Sequence, residues 1–140
     1  SAAVTRYGAP VIVCDFGTAT TIDAIDAAKR YLGGTIIPGP RTMAASLEKG
    51  TSQLPEIDIR KPENVVGNST ETSIRSGIFW GSVGIVEGIV ARMKAELGGS
   101  PKVIATGGWA ETVAAETNCI DIVEKDLVLR GIAEAFYRNS

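Results

Sequence analysis

Histidine is absent from the 140 residues, and with it go Ser-His-Asp triads, Cys-His pairs and His-ligated zinc. A base or metal ligand in this chain is a carboxylate, a hydroxyl or a backbone group. Cysteine is scarce: Cys14 and Cys119 stand far apart, form no Cys-x-x-Cys pair and lie in or beside apolar runs, which reads as buried thiols in a reducing compartment. Charge of one sign is lacking too. With 14 Lys and Arg against 16 Asp and Glu, the net charge is −2, which leaves no basic surplus for general nucleic-acid binding. The most apolar long stretch, Ile78 to Ala91, is interrupted by Glu87, bounded by Arg75 and Arg92 and short for a bilayer span, so no membrane partner is expected. The opening Ser1-Ala2-Ala3-Val4-Thr5-Arg6 lacks a charged start followed by an apolar block. A cytoplasmic location is the expectation.

What is present is globular. An apolar fraction of 44% with 21% charged residues is close to the norm for folded domains. A chain of this length buries roughly 68–70% of its unfolded surface, enough for one domain with one core. The run Val11-Ile12-Val13-Cys14 ends in Asp15 and suits a strand buried on both faces. The β-branched, partly alternating Thr20 to Ile25 follows, and the two runs read as a hairpin turning at Gly17-Thr18-Ala19. After a turn at Asp26-Ala27-Ala28-Lys29, a third strand runs from Tyr31 to Ile37 and stops at Pro38-Gly39-Pro40. Thr42 to Lys49 reads as a short helix with Gly50 just past its end.

Residues 51–68 read as irregular, with Pro55 and Pro62. Ser69 or Thr70 caps a long helix to about Leu97, closed by Gly98-Gly99; Ser69 with Thr72 falls short of a full capping box. Lys102 to Thr106 is a fourth strand, Gly107-Gly108 leads into a helix to about Ala115, and Ile120-Asp121-Ile122 is a short fifth strand. A last helix starts at Asp126, with Leu127, Leu129, Ile132, Ala133 and Phe136 on its apolar face. The expected fold is α/β: a mixed sheet with helices on both faces, in the order βββα…βαβα of a single ribonuclease H-like domain, as found in each half of actin-like ATPases.

Several stretches could carry chemistry. In Asp15-Phe16-Gly17-Thr18-Ala19-Thr20-Thr21, Gly17 lets backbone approach an anion, turn N–H groups can form a nest, and threonine hydroxyls can donate to phosphate oxygens. Ionised Asp15 only accepts hydrogen bonds, so it faces a phosphate only through a cation or water. An ordinary hairpin turn, with Thr chosen for strand propensity, explains the same residues. Val103-Ile104-Ala105-Thr106-Gly107-Gly108 could let a nucleotide pack on backbone at the carboxyl end of the sheet, or could be a tight connection. The pair Gly33-Gly34 in a strand suggests close approach by ligand, chain or partner, or a kinked edge. Asn68 to Ser73 reads as helix capping. Gly77, Gly81, Gly84 and Gly88 share one helix face; each costs up to ~1 kcal/mol of helix propensity, so a packing reason is expected, within the chain for most of the stripe.

Taken in order, these motifs resemble the carboxyl-terminal domain of the type III pantothenate kinases, within the superfamily of sugar kinases, chaperone ATPases and actin. The matching pieces are Asp15 to Thr21, Tyr31-Leu32-Gly33-Gly34 with Ile37-Pro38-Gly39, Leu54-Pro55, Val66-Gly67 with Ser69-Thr70, Ser76-Gly77-Ile78, Val86 to Val90, and Ala105-Thr106-Gly107-Gly108. The resemblance implies ATP-dependent phosphorylation of pantothenate, the first step of coenzyme A synthesis. It implies Asp15 as ligand of a monovalent cation (K+ or NH4+), and Thr18, with Gly17 beside it, as the ATP-phosphate contact. It implies Gly107 and Gly108 as the adenosine loop, Thr70 as a pantothenate contact, Mg2+ travelling with the nucleotide, and a homodimer. Phosphoryl transfer asks for positioning and charge compensation, which needs no histidine.

The family's amino-terminal half, with the first phosphate loop and a Gly-x-Asp-Arg segment carrying the catalytic aspartate, has no counterpart here. Residues 1–140 therefore read as one half of a two-domain kinase, partnered by that amino-terminal half and inactive alone, with no catalytic base of their own. The resemblance also leaves two other functions standing: a non-catalytic accessory factor of a transcriptional regulator, and half of another actin-like ATPase or sugar kinase.

Overall fold

The computed structural model describes Val4, Tyr7, and residues 8–50 and 58–124. Its elements are β1 (Val11–Phe16), β2 (Ala19–Ile25), β3 (Tyr31–Pro38), α1 (Pro40–Gly50), α2 (Thr70–Leu97), β4 (Lys102–Gly107), α3 (Ala110–Ala114) and β5 (Ile122–Val123). The strands form one mixed sheet in the order β3-β2-β1-β4-β5. The unbroken apolar run makes β1 the central strand, antiparallel to β2 and parallel to β4. On one face, Ile12, Cys14, Phe16, Ile22, Val103 and Ala105 pack against α2 and α3. On the other, Val11, Val13, Ile25 and Ile104 are joined by Val4, Tyr7, Tyr31 and Ile122.

The expected order holds along the described chain, as does the mixed sheet. Helices α2 and α3 pack on one face of the sheet, and on the other face Val4 and Tyr7, both in helical conformation, pack against Val11, Val13, Ile25 and Ile104. The last helix expected from Asp126 lies outside them. The fifth strand comes later than expected, at Ile122–Val123, because Asp121 is used differently: its Oδ2 accepts from the Val103 amide at 2.8 Å.

Three local features differ from the sequence reading in instructive ways. Ser69 and Thr72 do form a reciprocal capping box: the Thr72 amide donates to Ser69 Oγ at 3.1 Å and the Ser69 amide to Thr72 Oγ1 at 3.0 Å. A threonine hydroxyl does here what Glu or Gln does in the usual box. The β2–β3 turn has no glycine; Lys29 takes the left-handed conformation instead, at φ 66°, and Asp26 braces it by accepting from the Ala28 and Arg30 amides at 2.9 Å each. Third, α2 runs well beyond Ile78–Ala91, with Glu71 and Arg75 before that stretch and Arg92, Lys94 and Glu96 after it. Its 28 residues are long and apolar enough to cross a membrane by length and composition, although Phe79, Val83, Val86 and Val90 pack into the sheet core.

The glycine stripe of α2 lies opposite that core-facing stripe. A Cβ added at Gly77, Gly81 or Gly84 would meet no atom within 4 Å, and one at Gly88 would meet only the Arg92 side chain. The expectation that the stripe packs mostly within the chain is overturned among the described residues: the small side chains face outward.

Candidate functional site

The parallel pairing of β1 and β4 sets Asp15 opposite Thr106 and Phe16 opposite Gly107. Both strands therefore end at the same edge of the sheet, and the turns that follow, Gly17-Thr18 and Gly107-Gly108, lie side by side. Gly17 and Thr18 are exposed. Gly107 has φ 95°, and a Cβ there would sit 2.5 Å from the Phe16 carbonyl oxygen. Only glycine lets the two strand ends come so close. Gly108 has open space where its side chain would be.

The Gly17-Thr18 turn is held from a third direction. The Thr18 carbonyl accepts from the Gly39 amide at 3.0 Å and from the Thr42 hydroxyl at 3.1 Å. A Cβ at Gly39 would lie 2.5 Å from that same oxygen. The corner between β3 and α1 is thus built against the turn, in contact that only a bare backbone permits. Gly34 has a similar role within the sheet: a side chain there would overlap the Ile22 carbonyl and the Asp23 carboxylate. The close approach foreseen at Gly33-Gly34 is made by the chain's own second strand.

Asp15 shares a sheet face with Thr21, its cross-strand partner, and with Asp23 two residues on. Burial is the first cause that pushes the Asp15 carboxyl above the ordinary aspartate value, and the negative charge of Asp23 adds to it. Asp23 is also raised by burial, against the opposing pull of the Tyr31 hydroxyl, which donates to its Oδ1 at 2.6 Å. Among the described residues, no basic side chain or hydrogen-bond donor pairs with the Asp15 carboxylate. A half-buried carboxylate with a second beside it and hydroxyls across the strand is a donor set of hard oxygens. It suits a cation of low charge. Cys14, on the opposite face, is inert: burial pushes its thiol up to about 12, as expected of a structural cysteine.

Two clefts flank α1. One, of 810 Å³, opens beside Trp109, the residue after the glycine pair, and is lined also by Arg41, Glu48, Arg60, Lys61 and Thr112. Lys61 pairs with Glu116 at 2.8 Å and Arg60 with Asp58 at 3.6 Å. The other cleft, of 910 Å³, holds Thr70 in the first turn of α2, with Met43, Leu47, Ile74 and Gly77 around it. The structure therefore brings together Asp15, Gly17, Thr18, Gly107 and Gly108, and sets Thr70 apart on the other side of α1. Sequence reasoning missed Arg41, Arg60, Lys61 and Trp109. The three basic residues sit in or next to segments with no periodicity to read; the aromatic directly after Gly107-Gly108 was the one available signal.

A family model described as type III pantothenate kinase matches residues 1–92. Among solved structures, a Campylobacter jejuni protein assigned to the Baf family of transcriptional activators is 23% identical, with a TM-score of 0.64 over 99% of this chain. This chain spans 62% of the length of that one, and at such identity the likeness speaks for the fold alone.

Proposed function

This chain belongs to the type III pantothenate kinase family, and we propose that it supplies the nucleotide-binding and cation-binding half of an ATP-dependent pantothenate kinase. The adjacency of Gly17-Thr18 and Gly107-Gly108 at one sheet edge is the observation that carries this reading, with the 810 Å³ cleft beside Trp109 as room for the nucleoside. Thr18 donates its hydroxyl to a phosphate oxygen of ATP, and Gly17 keeps that approach free of a side chain. Gly107 and Gly108 offer bare backbone to the adenosine. Asp15 holds a monovalent cation, K+ or NH4+, which supplies charge compensation between carboxylate and phosphate when bound; Mg2+ arrives with the nucleotide. Thr70 contacts the acceptor hydroxy acid in the second cleft.

No Gly-x-Asp-Arg segment occurs in the sequence, so the carboxylate that orients the attacking hydroxyl comes from a further, amino-terminal half. The 140 residues by themselves turn over no ATP. The open glycine stripe on α2 is the face for a second copy, since small residues let helices approach closely; a monomer by sedimentation would remove that part of the proposal. The sheet-packed stripe of α2 supports a core helix rather than a membrane span, in keeping with a cytoplasmic enzyme.

Joined to its catalytic half, the chain is expected to show pantothenate-dependent ATP turnover stimulated by potassium. Thr18→Val removes one charge-assisted hydrogen bond and is expected to weaken ATP binding about tenfold with an unchanged melting temperature; unaltered nucleotide affinity would refute the assignment. The name of the Campylobacter structure favours a second reading, an accessory factor of a transcriptional regulator. Turnover with pantothenate decides against it, and turnover with a different acceptor points to another kinase of the superfamily.

A further inference from the structure

We infer that Thr42 is a positioning residue for the phosphate turn: its hydroxyl, together with the Gly39 amide, fixes the peptide between Thr18 and Ala19 so that the turn meets the nucleotide preformed. The inference rests on the kinase reading above and names a residue that reading does not use. The Thr18 carbonyl carries two donors, at 3.0 Å from Gly39 and 3.1 Å from Thr42. Within the turn itself, the Gly17 amide donates to the Ala19 carbonyl at 3.1 Å. Together these bonds tie the three residues at both ends, and the first two come from outside the hairpin. An exposed turn carrying a glycine would otherwise sample several backbone states, and each competing state would lower nucleotide affinity in proportion to its population.

Thr42 is suited to this task. It sits in the first turn of α1, where a side-chain hydroxyl has no helical carbonyl to satisfy ahead of it. Gly39 and Pro40, just before it, are buried, so the corner that presents Thr42 is a fixed platform. Its reach is across 24 residues of sequence to a carbonyl on the hairpin, a contact that helix capping does not need. Thr42 is itself exposed, so removing the hydroxyl leaves no buried orphan and little change in overall stability is expected.

The test uses the chain joined to its catalytic half, with Thr42→Val, Thr42→Ser and Thr18→Val, and measures binding of a non-hydrolysable ATP analogue, melting temperature and turnover. Thr42→Val is expected to weaken analogue binding about five- to tenfold and raise KM for ATP by a similar factor, with kcat within twofold and the melting temperature within ~1 °C. Thr42→Ser, which keeps the hydroxyl, is expected to restore both. A merely structural role would move the melting temperature and leave the serine variant no better for nucleotide. If Thr18→Val weakens binding but Thr42→Val does not, the positioning role is wrong and the kinase reading stands. If neither matters, or the wild type binds no analogue, both fall. Hydrogen exchange of the Gly39 amide in the absence of nucleotide gives an independent measure: it is expected to quicken in Thr42→Val and not in Thr42→Ser, and unchanged exchange would overturn the inference.

Discussion

Gly107→Ala is expected to lower the melting temperature by about 10 °C, roughly 3 kcal/mol in a domain of this size, and to abolish measurable nucleotide binding. Two costs add. The backbone at φ 95° is one that alanine adopts only with strain. The new methyl would also lie 2.5 Å from the Phe16 carbonyl oxygen and 2.8 Å from its carbon and nitrogen, and backbone cannot swing aside as a side chain can. Relief requires β1 and β4 to part where Phe16 faces Gly107, which is also where the two candidate binding turns meet. Gly108→Ala is the control. Its side-chain direction is open and its φ is ordinary, so the expected melting temperature is within ~1 °C of wild type. If Gly108 lies against the nucleotide, its affinity still drops. Equal stability of the two variants, measured by thermal unfolding, would show that the strand ends are not locked together as described.

The comparison of these glycines shows what a sequence makes legible. The run Val11 to Cys14 announced a strand buried on both faces, and the paired turns at Gly17 and Gly107 followed from apolar runs that stop at glycine. Their adjacency did not follow: it depends on the parallel register of β1 with β4, a contact between residues about 90 positions apart that no local pattern encodes. Glycine signalled close approach correctly at Gly34, yet not to whom, and Gly39, legible only as part of a strand stop, makes a close approach as well. Both proved to face the chain's own backbone. At the α2 stripe packing within the chain was expected, yet Gly77, Gly81 and Gly84 meet nothing described and Gly88 only the Arg92 side chain of its own helix. A missing side chain looks the same whether a strand, a ligand or a second copy takes the space. The Ser69–Thr72 box was unread because a threonine hydroxyl substituted for the expected carboxylate, and the bond from Tyr31 to Asp23 was unread because it joins two strands across a turn, between residues eight positions apart. The basic lining of the 810 Å³ cleft comes partly from residues 58–61, a stretch whose irregular backbone carries no period.

Asp15→Asn separates the electrostatics of the site from its architecture. In buffer without potassium at neutral pH, the substitution is expected to raise the melting temperature by about 3 °C, because it removes a half-buried negative charge that lies near Asp23 and has no cationic partner among the described residues. Burial first, and Asp23 second, hold the Asp15 carboxyl above its ordinary value of 3.8. The folded protein thus keeps a proton that the unfolded chain has released. That contribution to stability is complete below the ordinary value and is lost as pH rises through the folded one. The advantage of the asparagine variant is therefore expected to be absent in acid, to grow across that window and to level off above it. Potassium tests the same charge from the other side. If Asp15 binds the ion, potassium chloride stabilises the wild type more than sodium chloride does, by mass action on the folded state, and the asparagine variant loses the distinction. In the assembled kinase, the variant is expected to lose roughly ten- to a hundredfold in kcat, with the remaining turnover indifferent to the choice of cation. A wild type equally active and equally stable in the two salts, with the asparagine variant unchanged from it, would leave Asp15 as a buried strand residue and strip the site of its cation.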